Sequence, residues 1–123
     1  LERLKNELGL TYLFISHDLR IVEHLCDRMA VMYLGEIVEI ADTLDIYSNP
    51  LHPYTRALLS AIPVADPESK RERVILTGDL PSPMYPPSGC PFHPRCIDVM
   101  DRCKTEAPAL KEEGGRRVSC HLY

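Results

Sequence analysis

Eight of the eleven prolines in this 123-residue chain fall at positions 63, 67, 81, 83, 86, 87, 91 and 94. Each fixes its own φ and removes a backbone donor, so residues 63–94 can be neither a continuous helix nor a central strand. Residues 1–62 hold only Pro50 and Pro53 and place their apolar residues in regular periods. The contrast divides the chain into a regular α/β part, residues 1–62, and an irregular part, residues 63–123.

The regular part reads as helix, strand, helix, hairpin and two further helices. Leu1, Leu4 and Leu8 share one helical face, with Gly9 as the stop. Thr11 to Ile15 (TYLFI) is nearly all apolar and rich in aromatic and β-branched residues, which suits a strand buried on both faces of a parallel sheet. Asp18 caps a helix whose Leu19, Val22 and Cys26 face inward. Residues 28–34 and 37–41 form a hairpin through a two-residue turn, Gly35-Glu36, with the glycine first. Asp42 caps a short helix that stops before Asn49-Pro50. Pro53 opens a last helix with Tyr54, Ala57, Leu58, Ala61 and Ile62 along one stripe.

A net charge of −4 lacks the basic footprint of a nucleic-acid-binding chain. No apolar run reaches the length of about 18 residues that a membrane-spanning helix needs. Leu1-Glu2-Arg3-Leu4 is already in helical rhythm, with neither initiator Met nor leader pattern before it. The sequence therefore reads as part of a longer, non-secreted chain.

Four of the five cysteines crowd the irregular part, spaced Cys90-x5-Cys96-x6-Cys103-x16-Cys120. Without a secretory leader, a metal or cluster site is the stronger reading than disulfides. Four thiolates can complete a tetrahedral zinc site or ligate the irons of a [4Fe–4S] cluster. The absence of C-x-x-C pairs counts against a zinc ribbon, yet spacing alone fits either group. His93 and His121 are reserve ligands, and Cys26 reads as an apolar filler of the α/β part. A four-point cross-link would order a segment too rich in proline to pack by itself, which gives the site a structural role. Redox or iron sensing is the alternative.

Ser16-His17-Asp18 follow the expected strand and precede a helix. Ligands of open α/β sheets bind beyond the carboxyl ends of the strands, where an imidazole can donate to a phosphate oxygen or a water. On spacing alone His17 is more simply a turn residue. The string LGLTYLFISHDLRIVEHLCDRMAVMYLGEIVEIA, residues 8–41, resembles the switch-histidine region of ABC transporter nucleotide-binding domains. That resemblance implies an α/β fold, the C-terminal portion of a P-loop ABC domain followed by a proline-rich, cysteine-ligated appendix. It implies that His17 contacts the ATP γ-phosphate, with ATP and Mg bound in the parent protein. No Gly-rich phosphate loop occurs in the sequence, so these 123 residues by themselves are expected not to hydrolyse ATP.

Residues 43–63 (TLDIYSNPLHPYTRALLSAIP) resemble the stretch that follows this domain in dipeptide, oligopeptide and nickel importer ATPases, and residues 77–92 continue the likeness. His52, beside Pro53, reads as structural. GCPFHPRC, Cys103 and the final VSCH resemble the C-terminal oligopeptide-transporter domain, with Ile97 where a proline is expected. This implies a [4Fe–4S] cluster on Cys90, Cys96, Cys103 and Cys120, with zinc as the alternative. It also implies a second ATPase subunit and membrane-spanning permease subunits as partners, at the cytoplasmic face of the membrane. A contrasting reading is an autonomous metal-binding or interaction module with no nucleotide role.

Overall fold

The computed structural model describes residues 1–63 and 73–123, so the reading of Pro67 lies outside the described residues. Helix α1, Glu2–Leu8, ends where Gly9 takes a left-handed φ of 61° and its amide donates to the Lys5 carbonyl. None of its residues is buried, and the Leu1, Leu4 and Leu8 face meets solvent. The strand expected over residues 11–15 does not form. Leu13 and Ile15 are 93% and 89% exposed, and none of the described strands pairs with this segment. A strand buried on both faces needs neighbours to take its backbone donors and acceptors, and none is present here.

Helix α2, Leu19–Leu25, starts as expected at Asp18, whose carboxylate accepts the Arg20 and Ile21 amides at 3.0 and 3.4 Å. Val22 is buried, while Leu19 and Cys26 pack half-buried against the core. The hairpin forms from β1, Arg28–Tyr33, and β2, Glu36–Asp42. Tyr33 pairs with Glu36, so the turn is Leu34-Gly35 at φ 47° and 84°. Two left-handed residues match the twist of the strands, which places the glycine second in the turn rather than first. A register shift between Val31 and Met32 lets β2 bury Val38, Glu39 and Ala41.

Helix α3, Thr43–Ser48, begins after Asp42, whose side chain makes no capping bond, and buries Thr43 and Ile46. The Tyr47 hydroxyl ties it to α2 by donating to the Leu19 carbonyl. Helix α4, Pro53–Ser60, begins at its proline as expected. Its buried residues are Pro53, Thr55, Ala57 and Leu59; of the expected stripe only Ala57 is buried, while Tyr54, Leu58 and Ile62 are half-buried. Ala61 is exposed, as the C-cap residue beyond the end of the helix.

The irregular part is less irregular than its prolines suggest. Two 3₁₀ turns, His93–Arg95 and Asp101–Lys104, precede strands β3, Lys111–Glu113, and β4, Arg116–Val118. Together the strands make an antiparallel sheet of order β1-β2-β4-β3, with Val118 opposite Glu39 and Arg117 opposite Ile40. The Glu39 carboxylate is fully buried and accepts the Leu51 and His52 amides at 2.8 and 3.0 Å. It thereby fixes β2 to the start of α4. Phe92, 1% exposed, packs edge-on against Tyr33 and at a tilt against Tyr54, at ring-centre distances of 5.2 and 5.4 Å. Such aromatic contacts add roughly 1 kcal/mol each beyond the area they bury. No described helix is long and apolar enough to cross a membrane.

Candidate metal centre

Cys90, Cys96, Cys103 and Cys120 all line one cavity of about 10 Å³. Different local devices bring each of them there. Gly89, at φ 71°, lets the chain pass so close to the Cys103 turn that a Cβ would stand 2.4 Å from the Cys103 carbonyl oxygen. No other residue type could occupy that position without moving the backbone. The Cys90 amide then donates to the Cys103 carbonyl at 2.8 Å, which locks the first and third cysteines together. Phe92, anchored in the aromatic core, sets the path from Cys90 to the His93–Arg95 turn and on to Cys96. Strand β4 delivers Cys120, since the Ser119 amide donates to the Val38 carbonyl at 2.8 Å.

The sulfur environments repeat a pattern. Cys90 accepts from the amides of Phe92 and His93, Cys96 from that of Asp98, and Cys120 from that of Leu122. In three cases the donor lies two residues after the sulfur, so each thiol sits inside its own short turn with an N–H aimed at it. Amides so placed favour the thiolate. Burial works against them and raises the Cys90 and Cys120 thiols, and carries Cys96 up to about 11. Cys90, Cys96 and Cys120 are therefore held as thiols, and a bound cation would supply the missing stabilisation of their thiolates. Four thiols around one cavity are donors of the type that thiolate-ligated metal groups use. Among the described residues, no three His, Cys, Asp or Glu side chains stand in a geometry that could hold a metal ion. The thiols thus border a common space without closing on one point.

The reserve ligands are otherwise engaged. His93 Nδ1 is 2.9 Å from the Cys90 carbonyl and His121 Nε2 is 2.8 Å from the Glu106 carbonyl, although both rings border the cavity. His52 borders it as well. Its Nδ1 accepts the Tyr54 amide at 3.1 Å and caps α4, and its ring also bonds to the Ser119 backbone. Burial lowers this imidazole to about 4, so it is neutral and structural, in keeping with its place beside Pro53. His17 lies apart from all of this, exposed in the bend before α2. Cys26 does not line the cavity.

Sequence reading missed the side chains that hold the cysteine turns in place. Arg56, Asp98 and Tyr123 form one hydrogen-bonded group beside the cavity. Gly89 was legible in principle, since a glycine directly before a clustered cysteine signals close backbone approach.

The family model for the C-terminal region of oligopeptide/dipeptide transporters matches residues 38–103, from β2 to the third clustered cysteine. Among curated relatives, the chain is 56% identical over its whole length to YkfD of Bacillus subtilis (strain 168), provisionally named an oligopeptide transport ATP-binding protein. It is 52% identical, again over its whole length, to the oligopeptide transport ATP-binding protein AppF of the same organism. It is also 52% identical, over 95% of its length, to the dipeptide transport ATP-binding protein DppF of Haemophilus influenzae. The chain spans 38% of the first two relatives and 36% of the third.

Proposed function

Since this chain belongs to the family of oligopeptide/dipeptide transporter C-terminal regions, we propose that it is the C-terminal part of the ATP-hydrolysing subunit of an ABC peptide importer, with a [4Fe–4S] cluster on Cys90, Cys96, Cys103 and Cys120. Residues 1–62 form the end of the ATPase domain, and residues 63–123 form a linker and the cluster-binding region. The subunit works with a second ATPase subunit beneath membrane-spanning permease subunits, at the cytoplasmic face. Peptide is the cargo class that the names of the relatives support.

The observation that carries the cluster reading is the lining of one cavity by four thiols, three of them with an amide donor two residues on. A single zinc needs its four sulfurs around one centre, whereas a cubane accepts them at wider corners. The cluster, when bound, would cross-link four points of the chain and could exchange an electron. The residues around it do the rest: the amides of Phe92, Asp98 and Leu122 donate to the sulfurs and would stabilise thiolate charge, and Phe92 lines one wall.

Leu13 and Ile15 on one face, and Tyr12 and Phe14 on the other, are all exposed in this chain. That pattern supports a strand completed by the remainder of the subunit, with His17 at its carboxyl end as the γ-phosphate contact. No phosphate loop is present in these 123 residues, so turnover requires the rest of the subunit.

One experiment on the full-length subunit, purified without oxygen, tests both halves. It is expected to be brown, with about four irons and four sulfides per chain, and to lose both in Cys90→Ser or Cys103→Ser. His17→Ala is expected to keep the cluster while slowing ATP hydrolysis about a hundredfold, the usual cost of one preorganised donor. Colourless protein with stoichiometric zinc would overturn the cluster, and unchanged turnover in His17→Ala would overturn the histidine.

A further inference from the structure

The guanidinium of Arg56 projects from the middle of α4 toward the cysteine turns. Its Nε donates to the Pro50 carbonyl at 3.2 Å, which aims the fork. Nη1 meets Asp98 Oδ2 at 3.4 Å and Nη2 donates to the Tyr123 hydroxyl at 3.0 Å. Each of these two partners belongs to a cysteine turn. The Asp98 amide is the one aimed at the Cys96 sulfur. The Tyr123 amide donates to the Cys120 carbonyl at 3.4 Å, closing the turn whose Leu122 amide faces the Cys120 sulfur. One planar side chain thus grips the second and fourth cysteine turns, which lie 24 residues apart in sequence, while Gly89 packing joins the first and third.

We propose that Arg56 is the positioning residue of the cluster site. It holds the Cys96 and Cys120 turns in register from α4 and sets a fixed positive charge against the thiolates. This rests on the cluster reading above.

Charge arithmetic gives the arginine its reason. Four thiolates on a [4Fe–4S] core leave a net negative group, and the Asp98 carboxylate borders the same cavity. Left unpaired, Asp98 would repel the bound group. Paired with Arg56, it becomes a bridge that presents its amide to Cys96 while its charge is cancelled. An arginine suits this because its fork donates in two directions at once from one plane, which a lysine ammonium does less rigidly. The side chains of Arg56 and Asp98 are 39% and 37% exposed. A plain surface pair of that exposure contributes little to stability, so its effect should appear in the cluster rather than in the fold.

The test uses the full-length subunit, loaded with iron and sulfide, and follows bleaching in the presence of a ferrous-iron chelator together with the midpoint potential. Arg56→Met is expected to lose its cluster about tenfold faster, the scale typical of groups that orient metal ligands. Its midpoint should also be more negative, because reduction then adds charge without the arginine to offset it. Arg56→Lys should return the midpoint toward the wild-type value while correcting the bleaching rate only in part, separating charge from geometry. Tyr123→Phe, which cuts one arm without touching the helix, should bleach about threefold faster, as expected for one lost hydrogen bond. Arg102→Gln, which breaks only the exposed pair with Glu106, should match wild type. Arg56→Met and Tyr123→Phe proteins that hold their cluster with wild-type bleaching and midpoint overturn the proposal alone. Wild-type subunit free of iron and sulfide after reconstitution overturns it together with the cluster reading. If Arg56→Met does not fold, the Tyr123→Phe rate decides.

Discussion

Residues 10–17 and residues 88–123 invert what their composition suggests. The first segment is apolar, β-branched and aromatic, yet it lies open, with Leu13 and Ile15 almost fully exposed. The second is broken by prolines and glycines and rich in charge, yet it buries Cys90, Phe92, Cys103 and Val118. Strand propensity cannot create a ladder without a neighbour, whereas a poor segment becomes ordered once it docks on an existing sheet edge and core. Where the partners lie decides burial, and apolar content alone does not.

The sharpest way to break this contrast is Phe92→Ala in the metal-free chain. Phe92 fills the contact between α4, β1 and the cysteine turns, so its loss should cost about 4 kcal/mol in urea unfolding. A loss under about 1 kcal/mol would mean that the cysteine region is not packed as described.

Acid provides the next test. The unfolded chain protonates His52 below its ordinary value of 6.5, while burial holds the folded imidazole neutral down to about 4. Protons then favour the unfolded state, so stability is complete above pH 6.5, declines as pH falls toward 4, and levels off below that. The full decline is about 3 kcal/mol at about 1.4 kcal/mol per pH unit. The Cys90, Cys96 and Cys120 thiols, raised by burial, add no slope of their own in this window. Urea titrations of metal-free chain should give a flat limb for His52→Asn; an equally steep limb in that variant would show that the slope comes from elsewhere.

The smallest effect is expected at the exposed end. Leu13→Ser in this chain alone should change stability by no more than about 0.5 kcal/mol, as for any open surface position. In the full-length subunit the same change should cost about 2 kcal/mol, if the remainder of the protein covers this segment. Equal small effects in both would show that the segment stays open.

Features written into short stretches of sequence were legible. Asp18, Pro53 and Gly9 mark helix ends with their own side chains or φ, and each end falls where those residues stand. The hairpin was legible too, though its turn was misplaced by one residue, because Leu34 accepts a left-handed φ that its side chain does not advertise. Long-range relations were not legible. Strand β4 is three residues long and polar at two of them, and only its pairing with β2 makes it a strand. The partners of Arg56 lie 42 and 67 residues away, beyond any periodicity. The four cysteines grouped by their spacing do line one cavity, although their side chains do not close on a single point.

Glu39 carries a consequence for how the sheet finds its alignment. In a hairpin with alternating apolar residues, a slip by two positions preserves which face is wet and which is dry, so hydrophobicity barely distinguishes the two alignments. Here such a slip would put Ile37 or Ala41 where the carboxylate belongs. The Leu51 and His52 amides would then be buried with nothing to accept them, at roughly 1–3 kcal/mol each. The acidic side chain hidden in the sheet therefore acts as an index mark, making the correct alignment of β2 distinguishable from its near copies. Because β4 pairs beside that residue, the same mark also determines where Cys120 comes to rest.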